Sequence, residues 1–100
     1  MAWTIEYSRT ARKFFEKTDS HTRRQIRDFC EVRVAELNDP RSLGKALKGP
    51  LGRFWGYRSG DMRIICDIQD KKLIILVVAI GNRRDVYRQP MKEKVHRCSI

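Results

Sequence analysis

The fold is decided by residues 53–80, RFWGYRSGDMRIICDIQDKKLIILVVAI, which contain three stretches of strand-like composition. Turn residues at Gly60-Asp61 and at 70–72 separate the stretches 53–59, 62–69 and 72–80. The last stretch is apolar at successive positions, which is typical of a strand that is covered on both faces. The sequence therefore predicts antiparallel hairpins, with the last stretch central in the sheet.

One strand and two helices are predicted upstream of these hairpins. Apolar and polar residues alternate over 3–7, which indicates an opening strand, and Ser8 can cap a helix that ends near residue 18. A second helix is predicted from about residue 19 to about residue 38, because Pro40 stops it.

The connection over 39–52 contains five glycines and prolines, which predicts a turn-rich segment with a short helical turn over 41–47. We expect residues 1–100 to form a single α+β domain. In it, the N-terminal strand and a hairpin of helices pack on a small, mainly antiparallel four-stranded sheet.

The positive charge of the chain is concentrated in its second half. The formal net charge is +10, and residues 41–100 contain 14 Lys and Arg against 5 Asp and Glu. Residues 1–40 are nearly balanced, with 8 Lys and Arg against 7 Asp and Glu. This distribution favours a polyanionic partner, above all nucleic acid. An anionic membrane surface, an acidic protein and a merely basic surface are the alternatives.

The sequence lacks the patterns of a metal site, a cofactor site or a membrane segment. The three cysteines, Cys30, Cys66 and Cys98, are widely spaced, and we expect the first two in the core. The N-terminus does not read as an export signal, and the longest apolar run has eight residues against the roughly 20 of a membrane helix. We therefore expect a cytoplasmic protein without metal, cofactor or membrane association.

Two basic segments are candidates for a functional site. Arg63 alternates away from the predicted helix side of its strand and is near Arg58 across the turn, so the two guanidinium groups repel unless they share an anion. A strand with scattered surface charges is the alternative. The second segment, 80–88, reads IGNRRDVYR and places three arginines around Tyr87. Arginine binds phosphate oxygens in pairs and tyrosine can stack on a base, although a solvated basic tail has the same composition.

Three motifs resemble the RelE/ParE toxins of bacterial toxin–antitoxin pairs: LKG at 47–49, YRSGDMRI at 57–64 and IGNRRDVY at 80–87. The order of predicted elements is also similar, and the likeness covers roughly residues 2–88. The segment 83–87 resembles the RelE branch more than the ParE branch.

The resemblance implies the toxin of a type II toxin–antitoxin pair. Its expected activity is that of a ribosome-dependent, metal-independent endoribonuclease, an mRNA interferase that cuts mRNA in the A site by 2′-hydroxyl attack and inhibits translation. The expected partners are mRNA, the small ribosomal subunit and a RelB-like cognate antitoxin, with operator DNA bound through the toxin–antitoxin complex.

The resemblance also implies roles for individual residues. Arg63 would hold the scissile phosphate, Arg83 would stabilise charge or protonate the leaving oxygen, and Tyr87 would orient or deprotonate the 2′-hydroxyl. The residues expected to grip mRNA or ribosomal RNA are Lys45, Lys48, Arg53, Arg58, Arg84 and Arg88.

The chain departs from some RelE toxins on the first hairpin strand. Those toxins carry a Lys-x-Lys pair where this sequence has Phe54 and Gly56, and some carry a histidine where it has Asn82. Positive charge near the scissile phosphate must then come from Lys45, Lys48 or Arg53. Two other functions fit the same fold: a ParE-like poison of DNA gyrase without RNase activity, and a nucleic-acid-binding module without enzymatic activity.

Overall fold

The computed structural model describes residues 3–47, 52–82 and 86. Its helices and strands are, in chain order, β1 (Thr4–Tyr7), α1 (Arg9–Lys17), α2 (Ser20–Asp28), β2 (Lys45–Ala46), β3 (Trp55–Ser59), β4 (Met62–Gln69) and β5 (Ile74–Asn82). The sheet order is β1-β5-β4-β3-β2, and only the β1–β5 pair is parallel within these residues. The predicted α+β class and the mainly antiparallel sheet are confirmed.

The sheet has five strands in the described residues instead of the four that the sequence predicts. The additional strand is β2, which has two residues and pairs Lys45 with Gly56 and Ala46 with Trp55. The expected helical turn over 41–47 is limited to one 3₁₀ turn at Pro40–Ser42, after which the chain extends. Two residues are too few for an alternating pattern, so sequence periodicity could not reveal this strand.

The helical hairpin forms as predicted, with a change in its second half. Asp19 caps α2 by accepting a hydrogen bond from the Thr22 amide at 3.1 Å. The helix widens into a π-helical turn at Phe29–Val34, where the Ala35 amide donates to the Cys30 carbonyl five residues back. Buried side chains continue along one face through both parts, namely Ile26, Cys30 and Val34. None of the described helices is long and apolar enough to span a membrane.

A β-bulge between β4 and β5 decides which side chains face the helices. Ile65 pairs with Ala79 and Cys66 with Val77, so Val78 is an extra residue on β5. Val78 and Ala79 therefore both pack on the face away from the helices, while Ile80 packs in the helix-side core. The bulge also sets the pairing of Arg63 with Gly81 at the end of β5.

Both faces of β5 are covered, as its apolar sequence predicts. The helix side buries a core that includes Ala11, Ile26 and Ile75. The opposite side buries a second, smaller cluster, which consists of Phe54, Ile65, Leu76, Val78, Ala79 and Val86. We call this side of the sheet the distal face. Among the described residues, its cover comes from the connection before β3 and from Val86.

Ser8 joins α1 to the bulged part of β5. Its backbone amide donates to the Val77 carbonyl at 2.8 Å, and its buried Oγ donates to the Val78 carbonyl at 2.9 Å. The same Oγ accepts from the Ala11 amide at 3.1 Å, which is the helix cap that the sequence predicts.

We predict that Ser8→Ala lowers the free energy of unfolding by about 2 kcal/mol, because it removes the cap and leaves a buried carbonyl unpaired at the bulge. Urea unfolding measures the change. Ser42→Ala is the matched control, since the Ser42 hydroxyl donates to the Asp39 carbonyl in an exposed turn, and it should cost less than about 0.5 kcal/mol. Equal losses in the two variants would contradict the role of Ser8.

Candidate nucleic-acid interface

Arg58 and Arg63 are direct cross-strand neighbours in the β3–β4 hairpin. Their side chains project on the distal face, in the same rows as Gly56 and Ile65, which confirms the sequence-based expectation that the two lie together. Arg58 is exposed and Arg63 is half-buried. Like charges directly opposite each other destabilise a sheet. The pair is therefore an unfavourable arrangement that a shared anion would relieve.

The acidic side chains of the described residues do not neutralise this pair. Within the described parts of the chain, neither guanidinium has a hydrogen bond or a carboxylate within 4.0 Å. Asp67 lies on the distal face further along β4, but its Oδ2 is 3.9 Å from Nη2 of Arg53. The Arg53 guanidinium also lies 5.5 Å from the centroid of the Phe54 ring. Arg53 is thus engaged locally and does not join the arginine pair.

A depression of about 160 Å³ opens beside the arginine pair. Among the described residues, its lining consists of Gly44, Lys45, Leu47, Gly56, Tyr57, Arg58, Arg63 and Ile65. Three of the predicted site residues therefore border one space: Lys45 from β2, Arg58 from β3 and Arg63 from β4. We call these three the cation triad. Lys45 is opposite Gly56, so its position on the sheet depends on the short strand that the sequence did not reveal.

The backbone of Gly44 allows β2 to approach β3. Its φ of +77° lies in the region that glycine tolerates, and a Cβ at this position would collide with the Gly56 carbonyl oxygen. Two side chains of β3 hold the same segment: Trp55 Nε1 donates to the Leu43 carbonyl at 2.7 Å, and the Tyr57 hydroxyl donates to the Pro40 carbonyl at 2.6 Å. These contacts place Lys45 in the cation triad.

A bidentate ion pair holds the same segment from its other side. Arg41 donates to the two carboxylate oxygens of Asp70 at 2.8 and 2.9 Å, which joins the 3₁₀ turn to the β4–β5 connection. The Arg41 guanidinium lowers the pKa of Asp70. Sequence reasoning placed Asp70 in a turn and Gly44 in the turn-rich connection, but it gave neither residue, nor Trp55, a part in positioning the site. A glycine directly before Lys45 was the one signal that could have indicated a close approach.

The two described tyrosines are structural. Burial raises the pKa of Tyr57, whose hydroxyl is committed to Pro40. Burial and a 2.6 Å hydrogen bond to Glu31 raise the pKa of Tyr7. Neither phenol is suited to accept a proton near neutral pH. Cys30 and Cys66 are buried, as expected, and burial raises the pKa of the Cys30 thiol to about 12.

Five of the nine predicted site residues lie outside the described residues: Lys48, Arg83, Arg84, Tyr87 and Arg88. The described residues beside them are informative. Gly81, two residues before Arg83, pairs with Arg63. Val86, directly before Tyr87, is fully buried in the distal cluster. Gly81 therefore lies beside the cation triad, and Val86 packs on the same, distal face of the sheet. His21 is exposed on α2, and no group of three potential metal ligands gathers in the described regions.

Comparison with known proteins agrees with this architecture. The profile of the ParE toxin of type II toxin–antitoxin systems matches residues 5–87. The chain therefore belongs to this toxin family, within the RelE/ParE superfamily. It is a toxin of the type II toxin–antitoxin class.

Particular relatives lie on the RelE side of the superfamily. Toxin RelG of Mycobacterium tuberculosis is 24% identical over 89 residues, covering 89% of this chain and 100% of the relative. The toxin–antitoxin complex RelBE2 of the same organism contains a chain with a TM-score of 0.76 and 21% identity, covering 85% of this chain and 95% of that one. A doubly substituted Escherichia coli toxin RelE in the free state has a TM-score of 0.68 and 27% identity, with coverages of 88% and 93%.

We predict that Arg63→Gln weakens binding of a short single-stranded RNA and makes the affinity less dependent on salt. Each phosphate contact on a single strand contributes about 0.7 to the slope of log affinity against log salt concentration, so the slope should fall by about that amount. Arg24→Gln is the matched control, because Arg24 is exposed on α2. Fluorescence anisotropy at several salt concentrations measures both slopes. Identical slopes in the two variants would remove Arg63 from the interface.

Proposed function

We propose that this toxin is a metal-independent endoribonuclease that cleaves mRNA in the A site of the translating ribosome and thereby inhibits translation. The observation that carries the proposal is the cation triad, which is free of neutralising carboxylates in the described regions and lies beside the end of β5. Such a site suits a phosphodiester. RNA contributes its own nucleophile, so positioning and charge stabilisation are the main tasks of the protein.

The reaction is a transesterification. The 2′-oxygen attacks the adjacent phosphorus as its proton leaves, a bond forms between the 2′-oxygen and phosphorus, and the bond to the 5′-oxygen breaks. The products are a 2′,3′-cyclic phosphate and a 5′-hydroxyl that takes up a proton. In this scheme Arg63 holds the scissile phosphate, Arg83 stabilises or protonates the leaving oxygen, and Tyr87 orients or deprotonates the 2′-hydroxyl.

The assignment to Tyr87 is supported by the state of the other tyrosines. Tyr7 and Tyr57 are committed to hydrogen bonds and have raised pKa values, so neither is a suitable proton acceptor. An ordinary tyrosine, with a pKa near 10, is also a poor base at neutral pH. The scheme therefore requires cations around Tyr87 that favour its ionised form. Arg83, Arg84 and Arg88 are its sequence neighbours.

The remaining basic residues are proposed to grip the RNA chain or ribosomal RNA. Lys45 and Arg58 border the depression, and Lys45 is directly opposite Gly56, where some RelE toxins have lysine. We propose that Lys45 contributes, from β2, the positive charge that a lysine in place of Gly56 contributes in some RelE toxins. Lys48, Arg53, Arg84 and Arg88 are assigned to the same contact surface.

A cognate RelB-like antitoxin is the proposed inhibitor. Structures of relatives include the intact RelBE complex of Escherichia coli and an archaeal RelE–RelB complex from Pyrococcus horikoshii. An acidic segment of the antitoxin would neutralise the cation triad, and the complex would bind operator DNA mostly through the antitoxin. We assign the active toxin to the cytoplasm, where translating ribosomes are found, and residues 1–100 to one toxin domain.

The second candidate is a poison of DNA gyrase without RNase activity. The match to the ParE toxin profile favours this candidate, because ParE-like toxins are the branch of the superfamily that acts on DNA gyrase. In that case the cation triad would be an interaction surface, and Arg83 and Tyr87 would have no catalytic task.

We predict that Arg83→Ala and Tyr87→Phe each reduce mRNA cleavage roughly a hundredfold or more and relieve growth arrest, because each removes a group that acts on the transition state. Primer extension on a translated message after induction measures the cuts. Tyr7→Phe and Arg24→Ala are the matched controls on the helix side and should remain toxic.

The outcomes separate the two functions. Cuts at fixed positions within translated codons indicate the endoribonuclease, whereas intact message with double-strand breaks in DNA indicates gyrase poisoning. If Arg83→Ala and Tyr87→Phe both cleave mRNA as the unmodified toxin does, the assigned catalytic groups are wrong.

A further inference from the structure

The depression beside the arginine pair has an apolar floor as well as a charged rim. Leu47, Gly56 and Ile65 form the floor, and the cation triad borders it. Ile65 is fully buried and belongs to the distal cluster. A phosphate group alone would need only the rim. A floor of aliphatic carbon next to several cations suits a ligand that is flat and apolar at one end and anionic at the other.

Gly56 creates the space above this floor. It lies inside β3, opposite Lys45 on one side and Ile65 on the other, and a Cβ would point into the depression. That Cβ would lie 3.1 Å from Cδ2 of Leu47 and 3.8 Å from Cδ1 of Ile65. Any larger side chain at residue 56 would therefore fill the floor.

The backbone gives no reason for glycine at residue 56. Positive φ values occur at Gly44 and Gly60 among the described glycines, but not at Gly56. The Lys45 carbonyl oxygen would be 3.7 Å from the Cβ, an ordinary contact, so the backbone of β2 leaves room for an alanine; the side chain of Leu47, at 3.1 Å, would have to shift slightly. Glycine inside a strand costs stability and often marks a bulge, a bend or a place where a ligand or another backbone approaches closely.

We propose that the depression above Gly56 receives one nucleobase of a bound RNA strand, next to the phosphate that Arg58 and Arg63 hold. This inference rests on the proposed function, whose substrate is RNA, and adds a base-binding subsite to it. The base lies against Leu47 and the backbone of Gly56, with the buried Ile65 behind them, and the Lys45 amine lies at its phosphate side. Apart from the cation triad, Tyr57 is the one residue of the described lining with a hydrogen-bonding side chain, and its hydroxyl is committed to the Pro40 carbonyl. The subsite therefore holds a base by shape and apolar contact.

Charge complementarity favours a nucleotide over an apolar peptide as the occupant. Three cations border the floor, and Lys45, Arg58 and Arg63 make no ion pair within the described residues. A purely apolar occupant would leave these charges desolvated without a partner, which is unfavourable. A nucleotide satisfies both parts of the depression at once.

The test is an NMR titration of the purified chain, whose isoleucine methyl groups are isotope-labelled. The ligands added are adenosine 3′-monophosphate, uridine 3′-monophosphate and, as the control without a base, ribose 5-phosphate. We expect the nucleotides to bind roughly tenfold more tightly than ribose 5-phosphate, because part of the base is removed from water against aliphatic carbon. The Ile65 methyl resonance should move with ring-current shifts on nucleotide binding only. Ile26, in the helix-side core, is the internal control and should not move.

Three substitutions at residue 56 distinguish the effect of filling the depression from the effect of changing its charge. Gly56→Val should fill the floor and abolish the nucleotide advantage while ribose 5-phosphate binds as before. Gly56→Lys should also abolish that advantage but strengthen binding of ribose 5-phosphate, because it fills the floor and adds a cation. Gly56→Ala should reduce the preference for nucleotides partly. It remains informative if the larger variants do not fold, a failure that a changed Ile26 resonance would reveal.

Equal affinities for nucleotide and ribose 5-phosphate in the unmodified chain would overturn the subsite. So would an undiminished nucleotide advantage in the variants at residue 56 that fold. Cleavage of translated mRNA is measured on the same preparations. A chain that cuts mRNA without a nucleotide advantage refutes the subsite and leaves the proposed function standing. A chain that binds nucleotides as expected but leaves mRNA intact refutes the endoribonuclease and leaves the subsite standing.

Discussion

The pairing of β4 with β5, including its bulge, is the constraint on which the rest of the structure depends. Val78 is the extra residue, and it keeps Ile80 on the helix side while Arg63 pairs with Gly81. The bulge does not leave its carbonyls unpaired, because Ser8 donates to both Val77 and Val78. One residue therefore begins α1, satisfies the irregular part of β5 and stabilises the register that places Arg63 at the strand end.

Electrostatics oppose the arrangement that packing imposes on the hairpin. Arg58 and Arg63 are cross-strand neighbours, and such like-charge pairs destabilise a sheet by a fraction of a kcal/mol up to about 1 kcal/mol. The buried residues on the other side of the same strands, Tyr57 and Ile64, offset that cost. A bound phosphate or an acidic antitoxin segment would relieve the repulsion. Under the proposed function, these charges are the common feature that attracts both the RNA phosphate and the antitoxin.

The edge of the sheet beyond β3 shapes the depression. Gly44 brings β2 close enough to pair with β3, and Trp55 and Tyr57 fix the preceding segment through carbonyl groups. Lys45 then pairs with Gly56 and contributes its charge to the depression from β2. Gly56 itself adds no side chain to the depression.

The sequence by itself determined the class of fold, the cap at Ser8, the start of α2 near residue 19, the bounds of β4 and the adjacency of Arg58 to Arg63. These features depend on periodicity, capping chemistry and turn residues, which act over a few positions. The bulge at Val78, the short strand at Lys45 and the opening above Gly56 were decided only by tertiary structure. Each depends on a contact between residues far apart in sequence, and apolar residues on both faces of β5 give no alternation from which a change of register could be recognised.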